Sequence, residues 1–161
     1  HVFADGNVIL GSSVRFGRLA STSGTSSIGD RFMLGSSSLR GFAFGGFGPR
    51  DLAVANQPSL GGNNYGIGRF DVRFPNLFGD ETNLIPGLFV DVGSLWGLDD
   101  TAGGVAGANV VDDAAHLRSS IGVSMRVETG IGPVNLFLAS PISEQTYDDT
   151  QEFGLSFSHN F

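Results

Sequence analysis

Few side chains in this sequence have the type and spacing for chemistry. Its three histidines, His1, His116 and His159, are scattered, whereas a metal triad needs ligands that converge. Three pairs of neighbouring acids, Asp99-Asp100, Asp112-Asp113 and Asp148-Asp149, could offer oxygen ligands to a divalent cation. In stretches rich in Gly and Ser they read instead as solvated loop acid. The run GFGP at 46–49 lacks the Lys-Ser/Thr and the following helix of a phosphate loop. Asp71 and Asp91 could be imagined as an acid–base pair, but nearby arginines favour salt bridges over proton exchange. No catalytic set, metal site or cofactor site is therefore expected. What remains is one cation in an unusual setting: Arg40 lies in GSSSLRGFAFGGFGPRD, residues 35–51, among five glycines and Phe42, Phe44 and Phe47. The question is where that charge finds its partner.

The composition limits the setting. The chain has 161 residues, enough for one ordinary domain, with 25 glycines, 14 phenylalanines and only 16% charged residues. This mix does not suit a helical bundle. A formal net charge of −7 opposes binding to nucleic acid, which needs clustered Lys and Arg. Without cysteine there is no disulfide framework and no thiolate metal site. No apolar run approaches the ~18 residues of a transmembrane helix. The chain opens at His1 without a methionine, as if cut from a longer protein, so missing targeting signals carry no information.

Period-two alternation dominates. In YGIGRFDVRFP (65–75), Phe70, Val72 and Phe74 alternate with Arg69, Asp71 and Arg73. In LRSSIGVSMRVET (117–129), Val123 and Met125 alternate with Arg118, Arg126 and Glu128. Similar patterns place strands at 8–18, 84–96, 133–140 and 152–161, six in all. Tight turns at 76–83 and 130–133 alternate with long connections at roughly 21–62, 97–116 and 141–151. Short turns at one end and long loops at the other are the pattern of an outer-membrane β-barrel. A soluble β-sandwich also alternates. Against it stand ionisable groups in mid-strand and aromatics at the strand ends, Phe74 and Phe78 at one end and Trp96 at the other. On this reading Phe70, Val72, Phe74, Leu88, Val90, Val123, Met125, Leu136, Leu138, Leu155 and Phe157 face lipid. Asp71, Arg73, Arg118, Arg126, Glu128 and Asn135 face a wet lumen. Because single-chain barrels start at about eight strands, and an open edge is not viable in lipid, the chain reads as a piece of a larger barrel.

The loop SSSLRGFAFGGFGPRD resembles the motif, centred on Val/Leu-Arg-Gly-Phe, of the BamA-type outer-membrane assembly proteins. LGGNNYGIGRFDVRFP, GLFVDVGSLWG, LRSSIGVSMRVETGIGPVNLFLASPI and a terminal Phe follow in that family's order. The wording is most similar to alphaproteobacterial members. The resemblance implies an all-β, transmembrane antiparallel barrel of about sixteen strands, of which this chain supplies the last six. It also implies that the loop at about 30–55 starts outside the cell and folds back into the lumen. In the family the motif arginine pairs with acids aligned with Asp71 and Asp91, so Leu39, Arg40, Gly41 and Phe42 form the motif core and Asp71 and Asp91 its partners. Strand parity places both carboxylates on the lumenal face. One departure concerns the terminal strand, where His159 replaces an aromatic usual three positions from the end of the family's substrates.

The function so implied is assembly and insertion of outer-membrane β-barrel proteins, by a protein that is not an enzyme. Its partners would be unfolded outer-membrane proteins, accessory lipoproteins and outer-membrane lipid, with no nucleic acid. The strand from Glu152 to Phe161, anchored by Phe153, Leu155, Phe157 and Phe161, would form half of a seam that opens to incoming strands. A TamA-type or two-partner-secretion transporter shares the arginine loop. A passive porin, with the loop as a constriction, is a further alternative.

Overall fold

The computed structural model describes residues 2–3, 8–22, 24–79, 82–101, 111–130 and 132–157. One antiparallel sheet forms its body. In spatial order it contains β1 (Val2–Phe3), β2 (Val8–Arg18), β5 (Asn64–Arg73), β6 (Leu84–Trp96), β8 (Arg118–Thr129), β9 (Gly132–Ser143) and β11 (Phe153–Phe157). The remaining pairs are small and lie in the long connections: β3 (Gly41–Phe42) with β10 (Thr150–Gln151), and β4 (Arg50–Asp51) with β7 (Val111–Asp112). The strand β1 adds to the six expected ones; two residues are too few for alternation to reveal. His1, His159 and Phe161 lie outside the described residues, as does the side chain of Phe157.

Prolines explain where strand ends depart from the alternation. The strand β5 stops at Arg73, before Pro75, which has no N–H to donate. The strand β9 runs on through Pro141, because a register shift between Ser119 and Ser120 lies across from it. A residue without an N–H is tolerated at such a bulge.

Register fixes the two faces, since directly paired residues share a side. One row of pairs runs Val72, Leu88, Val123, Leu138 and Phe153; the next runs Phe70, Val90 and Ile121. These side chains are the exposed, apolar face. On the opposite face one row of pairs runs Arg69, Asp91 and Ser120, and the next runs Asp71, Phe89 and Gly122. Arg126 pairs with Asn135, and Glu128 with Pro133, on that same face. An apolar outside with a partly charged inside is the wall of a transmembrane barrel, here an open sheet rather than a closed ring.

The inner face is less polar than alternation suggests. Ile67 and Leu95 are buried there with Leu39, Phe42 and Phe47 of the long 19–63 connection, and Tyr65 packs beside them. A second buried group, Phe89, Phe137 and Ala139, continues the platform. The main core thus lies between the sheet and the loop it carries. In the full barrel, Val123→Lys should destabilise by about 2–4 kcal/mol, the cost of a mid-depth charge in lipid. Ser13→Gln on the inner face should stay within about 0.5 kcal/mol. Equilibrium unfolding in lipid vesicles checks both.

Candidate functional site

The loop approaches the sheet through its motif. Leu39 and Phe42 are buried on either side of Arg40, so the apolar insertion and the charge enter together. Gly41 makes this possible: its φ is +96°, and a Cβ there would come within 3.2 Å of Ser120. A side chain at that position would meet both backbone strain and the wall. Phe42 and Phe47 meet edge to face, with ring centroids 5.5 Å apart. Phe44 does not join them. It lies on a turn and is 79% exposed.

Arg40 is held from every direction its fork offers. Its Nε donates to Asp91 Oδ2 at 2.7 Å and its Nη2 to Asp91 Oδ1 at 2.6 Å, a bidentate pair. Its Nη1 donates to Asp71 Oδ1 at 2.8 Å, and its backbone N–H to Asp91 Oδ2 at 3.1 Å. The Ser120 hydroxyl donates to the Arg40 carbonyl. Beneath the guanidinium lies the Phe89 ring, its centroid 3.6 Å from Cζ, in cation–π contact. Arg69 flanks the pair, its Nε 3.6 Å from Asp91 and its Nη1 donating to the Ser37 carbonyl. Burial opposes the charge on Arg40, but hydrogen bonds to Asp91 and then Asp71 outweigh it, and its pKa is raised. Phe89 was not anticipated; its place one step from Asp71 in the register is the signal that could have found it.

The acidic pairs expected to be solvated in the loops are so only in part: Asp99 and Asp100 are exposed and the Asp149 side chain is 71% exposed, while several members make structural contacts. Asp148 is fully buried and accepts from Arg118 Nε at 2.9 Å and Nη2 at 3.0 Å. Arg118 is itself fully buried and adds a bond to the His116 carbonyl. Asp149 takes an ion pair from Arg50 at 3.2 Å, while Arg50 also donates to the Gly45 and Gln57 carbonyls. Asp113 accepts from the Leu98 N–H, and Asp99 from the Ser26 N–H. Asp112 joins His116 Nε2, at 3.0 Å, to the Tyr147 hydroxyl, at 2.9 Å. These contacts tie the arginine loop to the other two long connections. The acids therefore satisfy arginines and loop amides, and among the described residues no group of three His, Cys, Asp or Glu side chains could hold a metal ion.

A wall of antiparallel strands, apolar outside, with an arginine-anchored loop folded onto its inner face, defines the outer-membrane barrels with an inward loop. The Omp85 superfamily domain matches residues 1–161, and the chain belongs to that superfamily, a part of an outer-membrane barrel. It is 32% identical over 154 residues to the outer membrane protein assembly factor BamA of Neorickettsia risticii, an alphaproteobacterium. That alignment covers 94% of this chain and 20% of the relative. In structure it is similar to crystalline BamA from Haemophilus ducreyi lacking POTRA domains 1–3, with a TM-score of 0.74 and 21% identity. The match covers 95% of this chain and 31% of that one. The chain thus spans a minor part of the relatives it matches.

Two outcomes test this geometry. Arg40→Ala strands Asp91, which is 0% exposed, and should destabilise the full barrel by about 3–5 kcal/mol. Adding Asp91→Asn should recover part of that loss, so that the two changes are non-additive in a thermal-unfolding cycle. Tyr147 gives a pH signature. Burial, then its bond to Asp112, raises its pKa from 10.0 to about 12. Across that window the folded state keeps a proton that the unfolded state loses, so stability falls as pH rises from 10.0 towards 12. Tyr147→Phe should remove that fall, read from melting temperature against pH.

Proposed function

We propose that the full protein inserts β-barrel proteins into the outer membrane and that this chain supplies the closing side of its barrel, a wall of about sixteen strands. It acts as a template and support, without catalytic chemistry or a cofactor. Its partners are unfolded outer-membrane proteins, the accessory lipoproteins of an assembly complex, and membrane lipid. Similarity to the BamA of Neorickettsia along nearly the whole chain supports this reading, as does the order of the sequence blocks.

One structural observation carries the mechanism. Among the described residues β11 pairs on one side only, with β9, from Phe153 opposite Leu138 to Phe157 opposite Val134. Its other edge awaits a strand. Inside lipid an unpaired edge cannot turn to water, so its backbone groups must find another strand. The lumenal side of β11, Gly154 and Ser156, offers little to grip a neighbour. A weak closure there, exchanged for pairing with an incoming strand, would let a substrate add without exposing its backbone. The grip that does exist is on the β9 side. Phe137 lies over Gly154 and occupies the space a side chain would need, an aromatic covering a bare glycine. This makes β11 firmly held by β9 and loosely held by its far neighbour, as a gate requires.

The test locks the gate. Paired cysteines at Ser156 and on the first strand of the full-length barrel, oxidised to a disulfide, should abolish insertion of a model porin in reconstituted vesicles, with activity restored by reductant. Undiminished insertion by the locked protein would refute the gate and favour a secretion pore.

A further inference from the structure

Between the arginine loop and the short-turn end of the sheet lies a polar cavity of about 370 Å³ that the ion-pair network leaves open. Arg40, Arg69, Arg73 and Arg126 line it, with Ser36, Ser37, Ser124, Asn135 and Ser156 around them and Asp71 as the acid on its wall. Arg40 and Arg69 are engaged with Asp71 and Asp91. Arg126 is paired with Glu128, whose side chain is 43% exposed. Arg73 is the exception: it has no ion pair among the described residues, and its buried Nε has no hydrogen-bond partner there. The opening is built into the sheet. At Gly87, which pairs with Arg73 and Ser124, an added Cβ would come within 2.9 Å of the Ser124 hydroxyl and 3.1 Å of the Arg73 Cγ. The missing side chain leaves room for the stem of Arg73 and the hydroxyl of Ser124 on either side of this strand.

We infer that this lumenal pocket binds an oxyanion of the phosphate class, with Arg73 and Arg126 as its charged ligands and Ser124 as a neutral donor. Arginine is suited to this: its planar fork presents paired donors to an oxyanion and stays charged in a low-dielectric site. All nine basic residues of the chain are arginines. The pocket carries more positive than negative groups in a chain whose net charge is −7, so the excess is local. The site has room for more than the bare ion, so the phosphate can be free or can belong to a lipid headgroup. Neither alternative depends on the seam.

The experiment uses the full-length barrel in a neutral detergent without phosphate. Titration with inorganic phosphate, and separately with a short-chain phosphatidylglycerol below its micelle concentration, is followed by isothermal calorimetry. Saturable binding is expected, weakened about tenfold or more by Arg73→Gln and by Arg126→Gln, since each removes charge-assisted bonds. Arg15→Gln, an exposed cation outside the pocket, should leave it unchanged. Gly87→Ala should weaken binding while leaving both arginines in place. Circular dichroism and melting temperature confirm that each variant is folded. Tighter binding of the lipid identifies a headgroup site, and equal binding a site for the ion. Absence of saturable binding of both, or equal loss in Arg15→Gln, overturns the inference.

Discussion

The structure depends on one constraint: the guanidinium of Arg40 is buried, and the carboxylate that meets it, Asp91, has no exposure at all. Neither charge is tolerable there alone, because desolvation of an unpaired ion exceeds what the surrounding packing can supply. Together they fix a position. The bidentate geometry sets the rotation of the guanidinium, Phe89 sets its height above the sheet, and Asp71 sets its direction along the strand. Leu39 and Phe42, one residue before Arg40 and two after it, then reach Ile67 and Leu95 without a choice of register. An apolar loop on an apolar platform could slide; a loop pinned by a buried ion pair cannot.

That pinned loop is connected mechanically to the end of the chain. The strand β3, Gly41–Phe42, begins one residue after Arg40 and pairs with Thr150 and Gln151, just before β11. Backbone bonds from Ala43 to the Asp149 carbonyl and from Asp149 to the Gly46 carbonyl close the same junction. Arg118 and Asp148 hold the connection between β9 and β11 from the other side. The upper end of the closing strand is therefore tied to the ion-pair core, while its lower end, towards Phe157, depends on strand pairing with β9. In the proposed opening of the seam, the end towards Phe157 is therefore the one that parts first from its far neighbour. This polarity follows from where the charges lie.

Much of the wall was legible in the sequence because lipid imposes a single rule on one face. Outward positions at mid-strand in β5, β6, β8 and β9 are mostly apolar, so Phe70, Leu88, Val123 and Leu138 stand out by alternation. The pairing of Arg40 with Asp71 and Asp91 was reached from parity and from the family resemblance together. Other features escaped for physical reasons. Ile67, Leu95 and Phe89 are apolar on the inner face because a loop covers them, and alternation cannot tell lipid from a covering loop. The acids of the long loops read as solvated because pairing between them and arginines spans many residues, as from Arg50 to Asp149. Nothing local in the sequence marks such contacts. Phe44, unlike Phe42 and Phe47, is exposed, since aromatic type alone says nothing of which side of a turn a residue occupies.

The inner face is graded along the barrel axis. Towards the long loops it is apolar and filled, with Leu39, Phe42, Phe47, Ile67 and Leu95 excluding water. In the middle the charges of Arg40, Asp71 and Asp91 compensate one another. Towards the short turns, Arg73 and Arg126 face an open, polar cavity. Most of the acids lie beyond the other end, in the long loops, as at Asp99, Asp112 and Asp149. Charge of one sign in a cleft with low-dielectric walls is focused rather than screened. In the loop half the arginines Arg50 and Arg118 are met by Asp149 and Asp148, whereas the open half holds arginines with fewer facing acids. The buried ion pair is what keeps the two regions apart: it neutralises the middle of the wall and holds in place the loop that seals the upper half.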